Sequence, residues 1–477
     1  MRSLRRGWGR ELVARIMVCD AVILLLLLAL AGLTFFWRLG QGSLYDWDEA
    51  LHAQMAQEMV WARTPLTPQW AGKLRFTKPP LSYWQIIAAF QVFGANEFAA
   101  RFPAAAAGVG AVLLTYLLGR ELFNRAAGLG AALLLLIVRN AVFSHHYNLA
   151  SIGRMAMMTT PLACCTLLTL WLAWRGERDH RYLAPLGIPL AAAIMLKSVA
   201  GLVPLAIVLV YWLVARPWRR WPWRALGLAA GLTVALALPW HLYAALWHGE
   251  EFWSRYVLYN LVQRVTQVID SPQHARPLWY YLDIIRQGFS PGWPVLLAAI
   301  PYALHRAWHH GQRAWLLLLC AALVPLALYS PVRTKLPWYI LDAYPALALL
   351  AAAFLVQLLR ERAALVSIVA FMVIFGWRLP APRDGDGDVR RTALALQQLA
   401  GPEDVVLVSG RAGIRPASLF YAGRPVRVAG YPAGLRRAWS GAQFLLTDVD
   451  TWQEAGLAGE VICRSGAQLL VRAEPAP

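Results

Sequence analysis

Long apolar segments recur along most of this chain and restrict it to one broad class of fold. Residues 17–37 read MVCDAVILLLLLALAGLTFFW, a stretch about long enough to cross a bilayer core of roughly 30 Å. Apolar segments of similar character follow near residues 103–119, 127–143, 157–174, 183–197, 199–215, 225–244, 288–304, 314–330, 339–358 and 364–378. With 59% hydrophobic residues and a mean hydropathy of +0.46, the chain is predicted to be an α-helical polytopic membrane protein with about eleven transmembrane helices.

Arginines predict how these segments are oriented. If the arginine-rich start is cytoplasmic, alternate connections (GRELFNR, RGERDHR, RPWRRWPWR, HRAWHHGQR and RERA) are also cytoplasmic, and each is rich in arginine. This topology accounts for most of the formal net charge of +19. Arginines scattered over short loops argue against nucleic-acid binding, which needs them gathered on one module. The same alternation places residues 38–102, 245–287 and everything after residue 379 outside the cytoplasm, where we expect the chemistry to lie.

The composition changes after Pro380 and predicts two domains. Residues 1–379 form the transmembrane domain, with residues 38–102 as its first outer loop, and residues 380–477 form a small α/β domain. Its expected strands are DVVLVS, VRVAG, QFLLTD, EVICR and QLLVRA. The junction PAPRDGDGD resembles a calcium loop but has Ala395 where such a loop needs a bidentate carboxylate, so we interpret it as a solvated linker.

The stretch LYDWDEALHAQMAQEM, residues 44–59, contains three carboxylates at the start of an amphipathic helical pattern. Asp46 and Glu49 have the spacing of a capping box, which would give both a structural task. Asp48 instead lies on the apolar stripe of Leu51 and Met55, the side expected to dock on the membrane domain.

Burying a carboxylate on a docked helix face is unfavourable unless the carboxylate forms an ion pair or takes part in binding or catalysis. Two readings of Asp48 therefore stay open. One is a buried ion pair with Arg101 or Arg154, and the other is a catalytic or substrate-orienting role.

Four motifs in order resemble one known family. They are YDWDEALHAQMAQEMV, LRFTKPPLSYWQIIAAFQVFGANEFAARFPAAAAG, LPWHLYAALWHGEEFWSRYVLYN and RTKLPWYILDAYPALALLAA. Together they resemble the bacterial aminoarabinose lipid A transferase and protein O-mannosyltransferase superfamily, GT-C glycosyltransferases that use polyprenyl-phosphate sugars. The resemblance runs from about residue 15 to residue 360 and leaves the C-terminal 95 residues outside.

The resemblance implies roles for particular residues. The family's Asp-Glu pair maps onto Asp48 and Glu49, with the aspartate as the catalytic carboxylate. The KPPLSYW segment maps the donor-binding residues onto Lys78 and Tyr83, with the lysine near the donor phosphate. A later basic loop maps onto residues 333–335, including Arg333 and Lys335.

The chain departs from the family at one place. Many relatives carry a second acidic residue before the fourth span, where this chain has no acid at positions 155–158. Either that acid is dispensable, or Asp46 or Glu58 replaces it.

Cleaving a bond between sugar C1 and phosphate requires positive charge on the departing phosphate and, for a hydroxyl acceptor, a base. Lys78, Arg154, Arg333 and Lys335 fall on predicted outer loops and are candidates to bind the phosphate, although Arg154 could equally be an interfacial snorkelling residue. Lys197 lies between two apolar spans, where burying its charge is energetically unfavourable unless the side chain faces a cavity. Tyr339 could stack on sugar or prenyl chain, or anchor the chain at the interface.

These observations predict an inverting glycosyltransferase in the bacterial inner membrane, with its active site and C-terminal domain outside the cytoplasm. Its predicted partners are a polyprenyl-phosphate-linked sugar donor, membrane lipid, and a glycolipid, glycan or protein acceptor. The alternatives are a multi-span lipid or solute transporter and a catalytically altered pseudoenzyme. No metal ligands are assigned because no Cys/His spacing suits one, while a divalent metal as cofactor is left open.

Overall fold

Helices dominate the computed structural model, which describes residues 20–46, 48–137, 149–269, 271–290, 292–375, 384–410 and 414–474. The arginine-rich start, on which the predicted orientation depends, lies outside the described residues. The helices before residue 270 are α1 (Asp20–Phe36), α2 (Asp48–Trp61), α3 (Leu81–Phe93), α4 (Glu97–Leu122), α5 (Arg125–Leu135), α6 (Leu149–Ile152), α7 (Thr159–Gly176), α8 (Gly187–Lys197), α9 (Val203–Ala215), α10 (Trp223–Phe252) and α11 (Arg264–Thr266).

The second part of the chain adds shorter helices and a sheet. A π-helical stretch, Trp253–Gln263, joins α10 to α11, and a 3-10 helix, Pro337–Ala343, precedes α15. The helices are α12 (Tyr280–Phe289), α13 (Trp293–His309), α14 (Arg313–Tyr329), α15 (Tyr344–Leu359), α16 (Glu361–Phe375), α17 (Gly387–Leu399), α18 (Pro416–Ala422), α19 (Ala433–Trp439) and α20 (Val449–Ala455).

Four helical stretches among the described residues are long and apolar enough to cross a membrane. They are Glu97–Leu122, His180–Ala215, Trp223–Thr266 and Pro337–Leu359, and shorter apolar helices accompany them at Asp20–Phe36, Leu81–Phe93, Arg125–Leu135 and Arg313–Tyr329. The structure therefore agrees with a polytopic membrane protein, while the number of eleven spans stays a prediction.

Small residues let the apolar helices approach closely. A Cβ atom on Gly119 of α4 would lie 2.6 Å from the Cα atom of Gly128 in α5, so no side chain fits there. This is the packing expected of helices in a membrane, where association depends on van der Waals contact. Helices α1, α4, α5, α7, α14 and α15 share the largest buried apolar cluster.

Residues 384–474 form a separate α/β unit, which we call the C-terminal unit. Its strands are β3 (Val406–Val408), β4 (Arg427–Val428), β5 (Phe444–Asp448), β6 (Glu460–Ser465) and β7 (Gln468–Arg472), while β1 (Gln69–Trp70) and β2 (Lys73–Leu74) pair in the first outer loop. The sheet order is β4-β3-β5-β7-β6, with β3 parallel to β4 and β5 and the remaining pairs antiparallel. All five strands predicted from the sequence are confirmed.

Helix α2 is buried on nearly all sides, which the amphipathic pattern did not predict. Gln54 and Gln57, expected away from the docked stripe, are only 2% and 8% exposed. The reason is that α18 of the C-terminal unit packs against α2 in addition to α3 and β1. Apolar residues of α2, α3, α17, α18 and β3 consequently share one buried cluster.

Candidate active site around Asp48

Arg101 on α4 fixes the loop that leads into α2. Its guanidinium donates hydrogen bonds to the carbonyl oxygens of Leu39 (3.0 Å), Gly42 (3.1 Å) and Ser43 (2.9 Å). It is buried, and it also forms an ion pair of 2.8 Å with Glu49. A single arginine thus ties the loop to the first turn of α2.

Glu49 is completely enclosed by this arrangement. It is 1% exposed, and besides Arg101 it accepts hydrogen bonds from the backbone N–H groups of Tyr45 (2.8 Å) and Ala156 (3.0 Å). The buried ion pair considered for Asp48 is therefore made by its neighbour. With its lone pairs engaged in this way, Glu49 has a structural task, and we leave it out of the chemical step.

Asp46 does not form the predicted capping box. Its carboxylate accepts hydrogen bonds from Arg415 (3.0 Å) and from the backbone N–H of Ala417 (3.1 Å), both in the C-terminal unit. The capping-box prediction is wrong because it considered only local partners, whereas the partner that binds Asp46 lies 369 residues away.

Asp48 is half-buried at the first residue of α2. Its carboxylate interacts electrostatically with His52, Tyr83 and Lys197, which come from α2, α3 and α8. Lys78, in the loop before α3, also acts on His52. The structure thus brings together four of the predicted site residues, Asp48, Lys78, Tyr83 and Lys197.

His52 is held as a neutral imidazole beside Asp48. Its Nδ1 lies 2.9 Å from the carbonyl oxygen of Ala156, so this nitrogen carries the proton and donates it. Burial lowers the pKa of His52, and the neighbouring Asp48 opposes that change. The ring centroids of His52 and Tyr83 lie 6.1 Å apart, so His52 bridges α2 to α3.

Lys197 lies at a break in its helical stretch. Ser198 adopts a φ of 57°, which ends α8 directly after the lysine. The Lys197 Nζ lies 3.5 Å from Thr159 Oγ1 and 5.3 Å from the centre of the Tyr339 ring, and the side chain is buried. Tyr339 in turn accepts a hydrogen bond of 2.8 Å from Arg264. Lys197 and Tyr339 thus lie together, as a phosphate or sugar subsite would need.

Other predicted phosphate ligands have structural partners. Arg154 is buried and donates to the carbonyl oxygens of Thr34, Phe35 and Trp37 at the end of α1. The Lys335 ammonium donates to the carbonyl oxygens of Arg276 (3.1 Å) and Val332 (2.6 Å). Burial, together with the like charge of Arg333, lowers the pKa of Lys335.

Arg154 thus caps the end of α1, and Lys335 stabilises the loop around residues 332–335. We therefore leave both residues out of the proposed donor site. The Arg333 side chain is exposed, and its backbone N–H donates to the carbonyl oxygen of Val265.

Neither residue proposed to replace the absent second acid is positioned to do so. Asp46 is bound to Arg415, and Glu58 accepts the backbone N–H groups of Ala71 (2.8 Å) and Gly72 (3.1 Å) in the turn between β1 and β2. In the segment without an acid, the backbone of Ala156 contacts Glu49 and His52. Both acids are thus engaged with other groups, and whether the second acid is dispensable stays a prediction.

Two residues near the site were missed by the sequence reasoning. Arg264 bonds to Tyr339 and acts electrostatically on Lys197. Asp342 is 3% exposed and accepts a hydrogen bond from Thr166 (3.2 Å). An acid inside the apolar segment WYILDAYPALALL is a readable signal, because ionisable residues within spans are rare and functional.

No three His, Cys, Asp or Glu side chains converge in a way that could hold a metal ion within the described ranges. The divalent metal left open above stays a prediction.

Comparison with known proteins finds similar sequences and a similar fold. A family described as dolichyl-phosphate-mannose-protein mannosyltransferase matches residues 77–243. An undecaprenyl phosphate-alpha-4-amino-4-deoxy-L-arabinose arabinosyl transferase from Pseudomonas aeruginosa is 33% identical over 341 residues, which cover 70% of this chain and 60% of that protein. The crystal structure of ArnT from Cupriavidus metallidurans bound to undecaprenyl phosphate covers 95% of this chain and 99% of its own, with a TM-score of 0.77 at 19% identity. This chain has the fold of ArnT.

The chain shares this fold with a more distant protein as well. The archaeal oligosaccharyltransferase AglB from Archaeoglobus fulgidus superposes with a TM-score of 0.53 at 13% identity, over 91% of this chain and 69% of its own. The expectation that the C-terminal residues lie outside the likeness is wrong for the fold, because a match over 95% of the chain must include most of the C-terminal unit. The chain spans about 60% of the length of the curated relatives it matches.

Proposed function

We propose that this protein is an inverting glycosyltransferase that moves a sugar from a polyprenyl-phosphate donor to an acceptor on the outer face of the bacterial inner membrane. The observation that carries the proposal is the environment of Asp48, a half-buried carboxylate in electrostatic contact with Lys197 and with His52, on which Lys78 also acts. Transfer from a lipid phosphate requires cations near the departing phosphate and, for a hydroxyl acceptor, a base. The names of the relatives, which include a lipid-phosphate-linked sugar, agree with this donor class.

The proposed reaction breaks one bond and forms one. An acceptor oxygen attacks sugar C1 from the side opposite the phosphate, and the electron pair of the C1–O bond leaves with the phosphate oxygen. Lys78 and Lys197 balance the charge that develops on that phosphate. A hydroxyl acceptor transfers its proton to Asp48, whereas an acceptor that is already ionised needs no base, and Asp48 then orients the reacting groups.

Neutral His52 supports this role of Asp48. Because burial lowers its pKa, His52 does not add a competing positive charge next to the carboxylate near neutral pH. Asp48 is therefore free to respond to the lysines and to the acceptor. Tyr83, which is fully buried, places its ring centroid 6.1 Å from that of His52.

Two alternatives to this proposal differ in what they predict. A transporter is disfavoured, because the relatives are named transferases and the polar residues converge around one carboxylate instead of lining a path across the helices. A pseudoenzyme with the same fold would bind donor without consuming it, which the experiment below distinguishes.

The Asp48→Asn variant tests the proposal. We expect it to fold and insert normally but to transfer sugar at least ~10²-fold more slowly, the typical loss on removing a general base. The measurement is consumption of a panel of undecaprenyl-phosphate sugars by purified protein in lipid. Asp283→Asn is a matched control, because Asp283 is an exposed aspartate whose ion-pair partner is Arg286 of the same helix. Asp48→Asn turnover equal to that of the control would refute the proposal, and donor binding without turnover in the wild type would indicate a pseudoenzyme.

A further inference from the structure

The loop before Asp48 is held by side chains of the C-terminal unit. The backbone N–H of Ser43 donates to Asp384 (3.1 Å), that of Leu44 to the Tyr421 hydroxyl (2.6 Å), and that of Asp46 to Asp386 (2.8 Å). The Ser43 hydroxyl also donates to Asp384 and accepts the backbone N–H of Asp386. Three backbone donors of residues 43–46 therefore depend on residues more than three hundred positions later in the chain.

Arg415 adds two ion pairs to this interface. Its guanidinium binds the Asp46 carboxylate at 3.0 Å and also the Asp386 carboxylate, so one cation links the membrane-domain loop to the start of α17. The Ala417 N–H, at the beginning of α18, donates to the other Asp46 oxygen at 3.1 Å. A planar guanidinium can contact two carboxylates at once, which a lysine cannot do with the same geometry.

Apolar side chains also pack between the C-terminal unit and the membrane domain. Phe420 of α18 lies with its ring centroid 6.2 Å from that of Phe90 in α3, and both rings are buried. Tyr421 accepts the Leu44 N–H and donates to Glu97 at 3.3 Å, and Glu97 is also paired with Arg390 at 2.8 Å. The C-terminal unit thus contacts α2, α3 and α4 together. The predicted solvated linker is wrong for residues 384–386, because they bond to loop 43–46.

From these contacts we infer that Arg415 is a positioning residue for sugar transfer, acting through Asp46 to fix where α2 begins and so where the Asp48 carboxylate points. Asp48 is two residues after Asp46 and is the first residue of α2. The helix start has no independent cap from Asp46, since that carboxylate is bound to Arg415 and Ala417. Loss of Arg415 removes the ion pair at Asp46, so the start of α2 can shift even though Arg101 still holds the earlier part of the loop. A shift of about 1 Å at a reacting group can cost on the order of 10²-fold in rate.

This inference rests on the proposed function, and its test is chosen to separate the two. The variants are Arg415→Ala and Arg415→Lys in the full chain. Arg424→Ala is the matched control, because Arg424 also belongs to the C-terminal unit but donates only to backbone carbonyls within it, those of Ala400, Gly401 and Pro402. Hydrogen exchange of residues 43–50 is measured together with kcat and KM for the donor.

We expect Arg415→Ala to exchange faster at residues 43–50 and to lose on the order of 10- to 100-fold in kcat with little change in the KM for donor. Arg415→Lys should recover part of the loss, and Arg424→Ala should match the wild type in both measurements. Equal exchange and equal kcat in Arg415→Ala and Arg424→Ala would overturn the inference, as would a loss confined to KM. If the wild type transfers no sugar, the proposed function fails, while faster exchange in Arg415→Ala alone still supports the positioning of α2.

Discussion

Asp48 and Glu49 are adjacent in sequence but lie in opposite environments. Glu49 is sealed against Arg101 and two backbone N–H groups, whereas Asp48 remains half-buried beside groups from three helices. A buried carboxylate with all its partners satisfied is fitted to hold structure, and a partly accessible one can exchange a proton with a ligand. Under the proposed function, the pair that the family resemblance implies divides into a structural residue, Glu49, and a chemical one, Asp48.

Glu49→Gln should therefore destabilise the protein more than Asp48→Asn does. The substitution leaves the Arg101 charge buried without its partner, a change that typically costs about 3–5 kcal/mol. Thermal unfolding in detergent, followed by tryptophan fluorescence, should show a clear drop in Tm for Glu49→Gln and almost none for Asp48→Asn. Equal Tm values for the two variants would contradict this division of roles.

At the scale of elements, the interface between loop 43–46 and the start of α17 contains a titratable group, the carboxylate of Asp384. Hydrogen bonds from Ser43 hold the pKa of Asp384 below its usual range. A carboxylate whose pKa is lower in the folded than in the unfolded state binds fewer protons when folded, so it adds stability above its unfolded pKa of about 3.9. That contribution disappears as the pH falls through the lower, folded pKa.

Asp384→Asn should consequently be less stable than the wild type near neutral pH, and the difference should shrink as the pH is lowered below about 4. Thermal unfolding measured across this range checks the expectation. Asp450→Asn serves as the control, since Asp450 is an exposed aspartate on α20. A gap in Tm between Asp384→Asn and wild type that stays constant down to the lowest pH would show that titration of Asp384 plays no part.

At the scale of the whole molecule, features with a local sequence signal were predictable, and features that depend on distant partners were not. Strands of the C-terminal unit and apolar helices were predictable, because their signals are local alternation and long apolar runs. The tasks of Asp46, Glu58 and Arg154 were not, because each depends on a partner brought close only by the fold. Asp46 and Arg415 lie 369 residues apart, and no spacing rule connects them.

Orientation in the membrane is the prediction that belongs to this largest scale. Gly430→Cys, in a variant whose native cysteines are replaced, should react with a membrane-impermeant thiol reagent in intact spheroplasts. Gly430 is exposed, and no atom lies within 4 Å of the position that a Cβ atom would take there, so cysteine fits. His310→Cys, in an exposed and predicted cytoplasmic loop, should react only after lysis. The reverse pattern would place the C-terminal unit in the cytoplasm and overturn the proposed location of the active site.

The contact between Ser43 and Asp384 also sets an order of events during synthesis, because its two residues are 341 positions apart. The segment that bears Asp48 leaves the ribosome early, long before Arg415 and Tyr421 are made. Non-local contacts form last when a chain folds as it is produced. A nascent chain therefore completes the segment that bears Asp48 long before it contains Asp384, Arg415 and Tyr421, whose side chains hold the loop in front of that residue.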